Sequence, residues 1–197
     1  MGWITKLTRI WLTRSFSPFY FRREGDEKLS YGSCENLGLY VHIPFCKRIC
    51  SFCPYCKTLF SNKACREYID ALLQEIHQVG SQYPGKRKAT SLYFGGGTPA
   101  LAADRLGEII EALQEHFMIT EGIGAELHPD NVTVPILTAM KKAGITKISI
   151  GIQSFQDKYQ RMLGRKPVDP EVMSRTLKEV PFETVSMDFI FALPGQT

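Results

Sequence analysis

The chain has 197 residues, 44% of them hydrophobic, with 24 Lys and Arg against 20 Asp and Glu. That length holds one domain with at most an appendage, and the apolar fraction excludes a disordered chain. No run approaches the ~18 apolar residues of a membrane span, and a net charge of +4 is too small to argue for nucleic acid.

The charge is unevenly spread. Lys6, Arg9, Arg14, Arg22, Arg23 and Lys28 face only Glu24, Asp26 and Glu27 within residues 1–30. Residues 1–38 therefore read as a basic N-terminal extension and 39–197 as a near-neutral body. The opening MGWITKLTRIWLTRSFSPFYF lacks the uninterrupted apolar core of a signal peptide. Lys6 stands where a myristoylation motif needs Ser or Thr. Trp3, Leu7 and Trp11 recur at helical spacing. Residues 1–15 thus suit a short basic amphipathic helix that packs on the body, stays loose or touches a membrane surface weakly.

Leu39–Ile43 reads as a short buried strand. Cys46, Cys50, Cys53 and Cys56 follow it, four of the six cysteines. Without a secretory signal, thiols so clustered point to metal ligands in a reducing cytoplasm rather than to disulfides. Zinc ribbons use two short pairs with a long spacer, and the second pair is missing. Four thiols so close together suit an iron–sulfur cube, with zinc as the other reading. Cys34 and Cys65 stand apart and read as structural thiols.

Helix and strand then alternate. A helix over Cys65 to Val79 carries Tyr68, Leu72, Leu73 and Ile76 on one face. Ser91–Phe94 is a second strand, stopped by Gly95, Gly96 and Gly97. Leu106, Ile109, Ile110 and Leu113 mark a second helix, and Gly124–Leu127 a third strand. Val134–Ala143 is a third helix closed by Gly144, Lys147–Ile152 a fourth strand, Glu171–Val180 a fourth helix and Val185–Ala192 a fifth strand. Such alternation means parallel strands with right-handed crossovers, hence an α/β barrel or open sheet. Sites in these folds collect at the C-terminal ends of strands. The cysteine loop, Gly95–Thr98, Glu126 with His128, Gln153 and Leu193-Pro-Gly fall at those ends in order, which points to a single site.

Tyr40-Val-His-Ile-Pro-Phe-Cys46, with Cys50 and Cys53, resembles the signature of radical S-adenosylmethionine (SAM) enzymes. More narrowly, it is similar to the branch of oxygen-independent coproporphyrinogen III oxidases, heme chaperones and anaerobic heme-cleaving methyltransferases. Leu92-Tyr-Phe-Gly-Gly-Gly-Thr-Pro99, Glu126-Leu-His-Pro129, Lys147-Ile-Ser-Ile-Gly-Ile-Gln-Ser-Phe155 and Met187-Asp-Phe-Ile-Phe-Ala-Leu-Pro-Gly195 extend the likeness from about Leu39 to Thr197. The resemblance implies a partial radical SAM (βα)6-type barrel of about five βα units, with the sixth strand and the C-terminal domain missing. On that reading the chain is a fragment, a truncated product or part of a split protein, and does not turn over a tetrapyrrole by itself.

The same resemblance implies that Cys46, Cys50 and Cys53 ligate a [4Fe-4S] cluster whose open iron chelates SAM. Cys56 lies three residues beyond that triad and is a free thiol, an aid to the radical chemistry or a fourth ligand. Tyr40 and Gly96 are expected beside the first SAM. Bare backbone at Gly95–Thr98 admits its amino group, and the Glu126 carboxylate takes its ribose hydroxyls. Phe52, Gly97, Thr98, Gln153, Arg165 and Asp188 correspond to contacts of a second SAM. Arg165 suits a carboxylate held by two hydrogen bonds, or is a solvated loop residue. His42 is expected to be buried and hydrogen-bonded, and no catalytic residue is assigned. The implied activity is decarboxylation of coproporphyrinogen propionates to vinyls through a 5′-deoxyadenosyl radical. Heme transfer by a chaperone and radical heme opening are the alternatives. The implied partners are a tetrapyrrole or heme and an electron donor such as flavodoxin or ferredoxin, in the cytoplasm.

Overall fold

The computed structural model describes residues 33–34, 36–82 and 84–196. The helix expected within residues 1–15, and most of the extension expected over 1–38, lie outside the described residues. Five parallel strands make the main sheet: β1 (Gly38–Ile43), β2 (Ser91–Gly96), β3 (Ile123–Leu127), β4 (Lys147–Gln153) and β5 (Thr184–Phe189). Their order in the sheet is their order in the chain. Every crossover therefore advances one strand. With a constant right-handed crossover, that winding sends all the helices to one face.

The strands show which face that is, because successive side chains alternate. On β4, Ile148, Ile150 and Ile152 are at most 2% exposed, whereas Ser149, Gly151 and Gln153 line a cleft. Val41 and Ile43, Leu92 and Phe94, and Ala125 and Leu127 continue the apolar face. The described α-helices are α1 (Asn62–Gly80), α2 (Leu106–His116), α3 (Val134–Lys142), α4 (Asp157–Met162) and α5 (Pro170–Glu179), and all but α4 supply apolar partners. Ile69 and Ile76 of α1, Leu106 and Ile109 of α2, Leu137 and Met140 of α3, and Met173 of α5 are buried in the same core. Each fully buried Leu, Ile or Met contributes about 1.5–3 kcal/mol over leaving it in water.

Helix starts follow their caps. The Ser61 hydroxyl accepts from the Ala64 N–H at 3.2 Å, so α1 begins three residues before the expected Cys65. The Asp169 carboxylate accepts from the N–H groups of Glu171 and Val172 and sets the start of α5. The fifth strand stops at Phe189, short of the expected Ala192, because Ala192 turns to a φ of 60°. Helix α4 was not expected; its six residues are too few to show a period. Two short parallel pairings, Phe45–Cys46 with Thr58–Leu59 and Arg87–Ala89 with Phe117–Ile119, were likewise not foreseen. Among the described residues, no helix is long and apolar enough to cross a membrane.

Candidate active site

The cysteine loop leaves the C-terminal end of β1 and is tied at both ends. The Thr58 N–H donates to the Pro44 carbonyl at 2.8 Å and the Phe60 N–H to the Cys46 carbonyl at 2.9 Å. Beneath it, the buried Phe45 ring meets the Phe60 and Tyr68 rings edge-on. The Lys57 ammonium donates to the Cys53 carbonyl at 2.6 Å. His42 holds the far end, its Nε2 lying 3.0 Å from the Cys56 carbonyl. A carbonyl only accepts, so Nε2 carries the proton and Nδ1 accepts from the Tyr40 hydroxyl at 3.2 Å. His42 is thus hydrogen-bonded as expected, but half-buried rather than buried.

Cys46, Cys50 and Cys53 are half-buried and line the cleft, while Cys56 is exposed and does not. The Thr98 hydroxyl donates to Cys46 Sγ at 3.7 Å. Burial pushes the Cys46 thiol above its ordinary pKa, against the Thr98 bond; the neighbouring Cys53 and Cys50 push it further up. A bound metal reverses that balance and holds a thiolate. Three soft sulfur donors on one wall fit an iron–sulfur cluster. Of the two thiols expected to be structural, Cys65 is buried in the core and Cys34 is exposed.

Strand β2 runs on through Gly95 and Gly96, past the expected stop at Phe94, and the glycines at its end have a reason inside the protein itself. A Cβ on Gly95 would lie 2.9 Å from the Tyr40 ring, one on Gly96 2.6 Å from the His42 imidazole, and one on Gly97 2.6 Å from the Phe45 carbonyl oxygen. Gly97 also donates its N–H to the Ile43 carbonyl at 2.8 Å. The turn is therefore pressed against β1 and the cysteine loop. Gly96 N–H in turn donates to Glu126 Oε2 at 3.2 Å. Burial raises the Glu126 pKa, the Gly96 bond opposes the rise, and Asp188 adds to it. Tyr93 beside them is pushed up to about 12 by burial and by Glu126 and Asp188, so it stays a neutral phenol.

The opposite wall comes from β4, β5 and the loop after α4. Gln153 sits at φ 70° without being glycine, a backbone conformation that costs about 1–3 kcal/mol and clusters at functional sites. Arg165 donates through Nη1 to the Gly151 carbonyl and lies over the Phe52 ring, 5.4 Å from its centroid. It is half-buried, not the solvated arginine of the bland alternative. The Ser149 hydroxyl donates to Asp188 Oδ2 at 2.9 Å. His128 Nδ1 accepts from the Asp130 N–H at 3.2 Å. Burial and the Arg165 charge hold the His128 pKa down at about 4.

Cys46, Cys50, Cys53, Phe52, Gly96, Gly97, Thr98, Glu126, Gln153, Arg165 and Asp188 all line one cleft of about 470 Å³. Tyr40 does not. Its side chain is 60% exposed, and its hydroxyl is directed to His42. The sequence reading missed Ser149, which strand alternation places on the same face as Gln153. It also missed Lys47, Arg48, Lys57 and Lys166, scattered cations that no local pattern marks and that the fold brings to the cleft.

The pattern of the radical SAM superfamily matches residues 40–197. The chain belongs to that superfamily. It is 30% identical over 164 residues to heme chaperone HemW of Bacillus subtilis (strain 168), covering 80% of this chain and 43% of that protein. Anaerobilin synthase of Escherichia coli O157:H7 is 35% identical over 164 residues, with coverage of 80% and 37%. Among solved structures, coproporphyrinogen III oxidase (HemN) from Escherichia coli, a radical SAM enzyme, superposes with a TM-score of 0.71 at 33% identity. That match covers 82% of this chain and 38% of the oxidase, which bears out the expected α/β fold and its partial extent. The chain spans less than half the length of these relatives.

Proposed function

We propose that the cleft holds a [4Fe-4S] cluster on Cys46, Cys50 and Cys53 and binds SAM beside it, in an enzyme that acts on a tetrapyrrole. The observation that carries this reading is the meeting, in one cleft, of three half-buried thiols, the Gly96–Thr98 turn and Glu126. A cluster with an open iron, when bound, supplies the electron that cleaves SAM to a 5′-deoxyadenosyl radical. The chain's own residues do the rest. Thr98 steadies the Cys46 sulfur, and His42 and Lys57 fix the loop through the carbonyls of Cys56 and Cys53. Glu126, anchored by Gly96, offers a second oxygen to ribose hydroxyls. Phe52, Gln153, Arg165 and Asp188 make a second polar wall, suited to a second SAM. Tyr93 and His128 stay neutral.

The substrate we favour is a coproporphyrinogen, whose propionates become vinyls by loss of the carboxyl group. Lys47, Arg48 and Lys166 on the cleft lining support a substrate that carries several carboxylates. Reduced flavodoxin or ferredoxin is the electron donor on this reading, and the cytoplasm its place. The second reading, heme binding and transfer, is favoured by the 30% identity to HemW.

Anaerobic incubation with SAM, a reductant and, separately, coproporphyrinogen or heme, followed by mass spectrometry, separates the two. From this chain, which spans less than half of its relatives, we expect 5′-deoxyadenosine with coproporphyrinogen left unchanged, and conversion of propionate to vinyl once the remaining part of those relatives is supplied. Heme bound one to one, with SAM left whole, would instead favour the chaperone.

A further inference from the structure

Two of the chain's four histidines meet at the end of the sheet opposite the cleft. His77 stands in the last turn of α1, and Glu115 and His116 end α2. The helices run back from the strand ends that carry the cleft, so their C-termini lie at the other edge of the sheet. None of the three residues lines the cleft. His77 Nδ1 is 3.4 Å from His116 Nε2 and 3.5 Å from Glu115 Oε2. One ligand atom from each lies within 4.8 Å of the other two.

Those spacings have a chemical meaning. A tetrahedral ion bonded at ~2.1 Å holds its ligand atoms ~3.4 Å apart. The helices also accommodate the group: a Cβ on Gly80 would fall 2.2 Å from His116 Cγ, so α1 leaves room for that imidazole at its last residue. Both helices present their C-terminal carbonyls at this edge, and a helix C-terminus favours a cation. Two imidazoles and a carboxylate match a borderline divalent ion of the zinc type, whereas calcium and magnesium prefer oxygen alone.

We propose that His77, Glu115 and His116 form a divalent transition-metal site of the zinc class that ties α1 to α2, with water completing the coordination. The site is empty of any redox step; its role is to pin the two helices.

The test uses the full chain with its cluster reconstituted anaerobically and its remaining thiols blocked by N-ethylmaleimide, so that zinc finds only nitrogen and oxygen ligands. Zinc bound after gel filtration is counted, and the melting temperature is recorded with and without the metal. The wild type should retain one zinc ion more than His77→Ala or His116→Ala, and only the wild type should melt higher with zinc. His77→Ala alters a half-exposed side chain, so its unchanged melting without zinc guards against a folding defect. Glu115→Gln should bind zinc more weakly than the wild type. Equal zinc counts and equal thermal shifts in all the proteins, or no zinc on the wild type, would overturn the proposal, and neither outcome bears on the cluster site.

Discussion

Gly97 is where the turn after β2 touches the cysteine loop, with no room between them for a methyl group. A Cβ there would lie 2.6 Å from the Phe45 carbonyl oxygen and 2.7 Å from the Pro44 carbonyl carbon. Both are backbone atoms that cannot swing aside. Gly97→Ala should therefore lower the unfolding free energy by about 1–3 kcal/mol and loosen the loop that carries the thiols. Gly38→Ala is the control, because its Cβ would sit at an ordinary 3.7 Å from Ser91 Oγ. Urea unfolding of the metal-free chain measures both, and equal midpoints would contradict this packing. At this scale the thiols were legible, since their spacing is local. The glycines were legible as the end of a strand, although the strand runs on through Gly96, and their reason was not, because Tyr40, His42 and Phe45 lie about fifty residues earlier in the chain. Tyr40 was legible as a residue of this region, but its hydroxyl bond to His42 was not.

Helix α2 contains a glycine with the opposite consequence. A Cβ on Gly107 would meet only Ala143, at 3.9 Å. Gly107→Ala should stabilise the protein by about 0.4–1 kcal/mol, since alanine reduces the freedom of the unfolded chain without strain in the helix. A thermal melt checks this; a lower midpoint would mean that α2 packs more tightly against α3 than these distances allow. The four longer helices were legible because Ile109, Ile110 and Leu113, and their counterparts elsewhere, repeat at the helical period. Helix α4 had no such period. It is held by a tertiary contact, the buried Gln160 amide donating to the Ile152 carbonyl at 2.9 Å. The apolar run after Asp188 misled for the converse reason. Ile190 makes one last bond to Gln153, then Phe191 is 86% exposed and the chain turns. Hydrophobicity without a neighbouring ladder does not make a strand.

For the molecule as a whole, the sequential winding of five parallel strands decides the function-bearing geometry. It gathers side chains from Cys46 to Asp188 at one edge of the sheet, although they come from five successive βα units. The order of unusual strand ends made this legible, because a parallel sheet puts all C-terminal ends on one side. The walls of the cleft were less so: the ring contact of Phe52 with Arg165 joins two loops more than a hundred residues apart. On the proposed function, three thiols and not four hold the cluster and leave one iron free for SAM. The most direct measurement is the EPR spectrum of the reduced, anaerobically reconstituted chain before and after SAM is added, in the wild type and in Cys56→Ser. About four irons and four sulfides per chain are expected, with a spectrum that SAM changes in both proteins. A spectrum indifferent to SAM, or loss of the iron in Cys56→Ser, would contradict that reading.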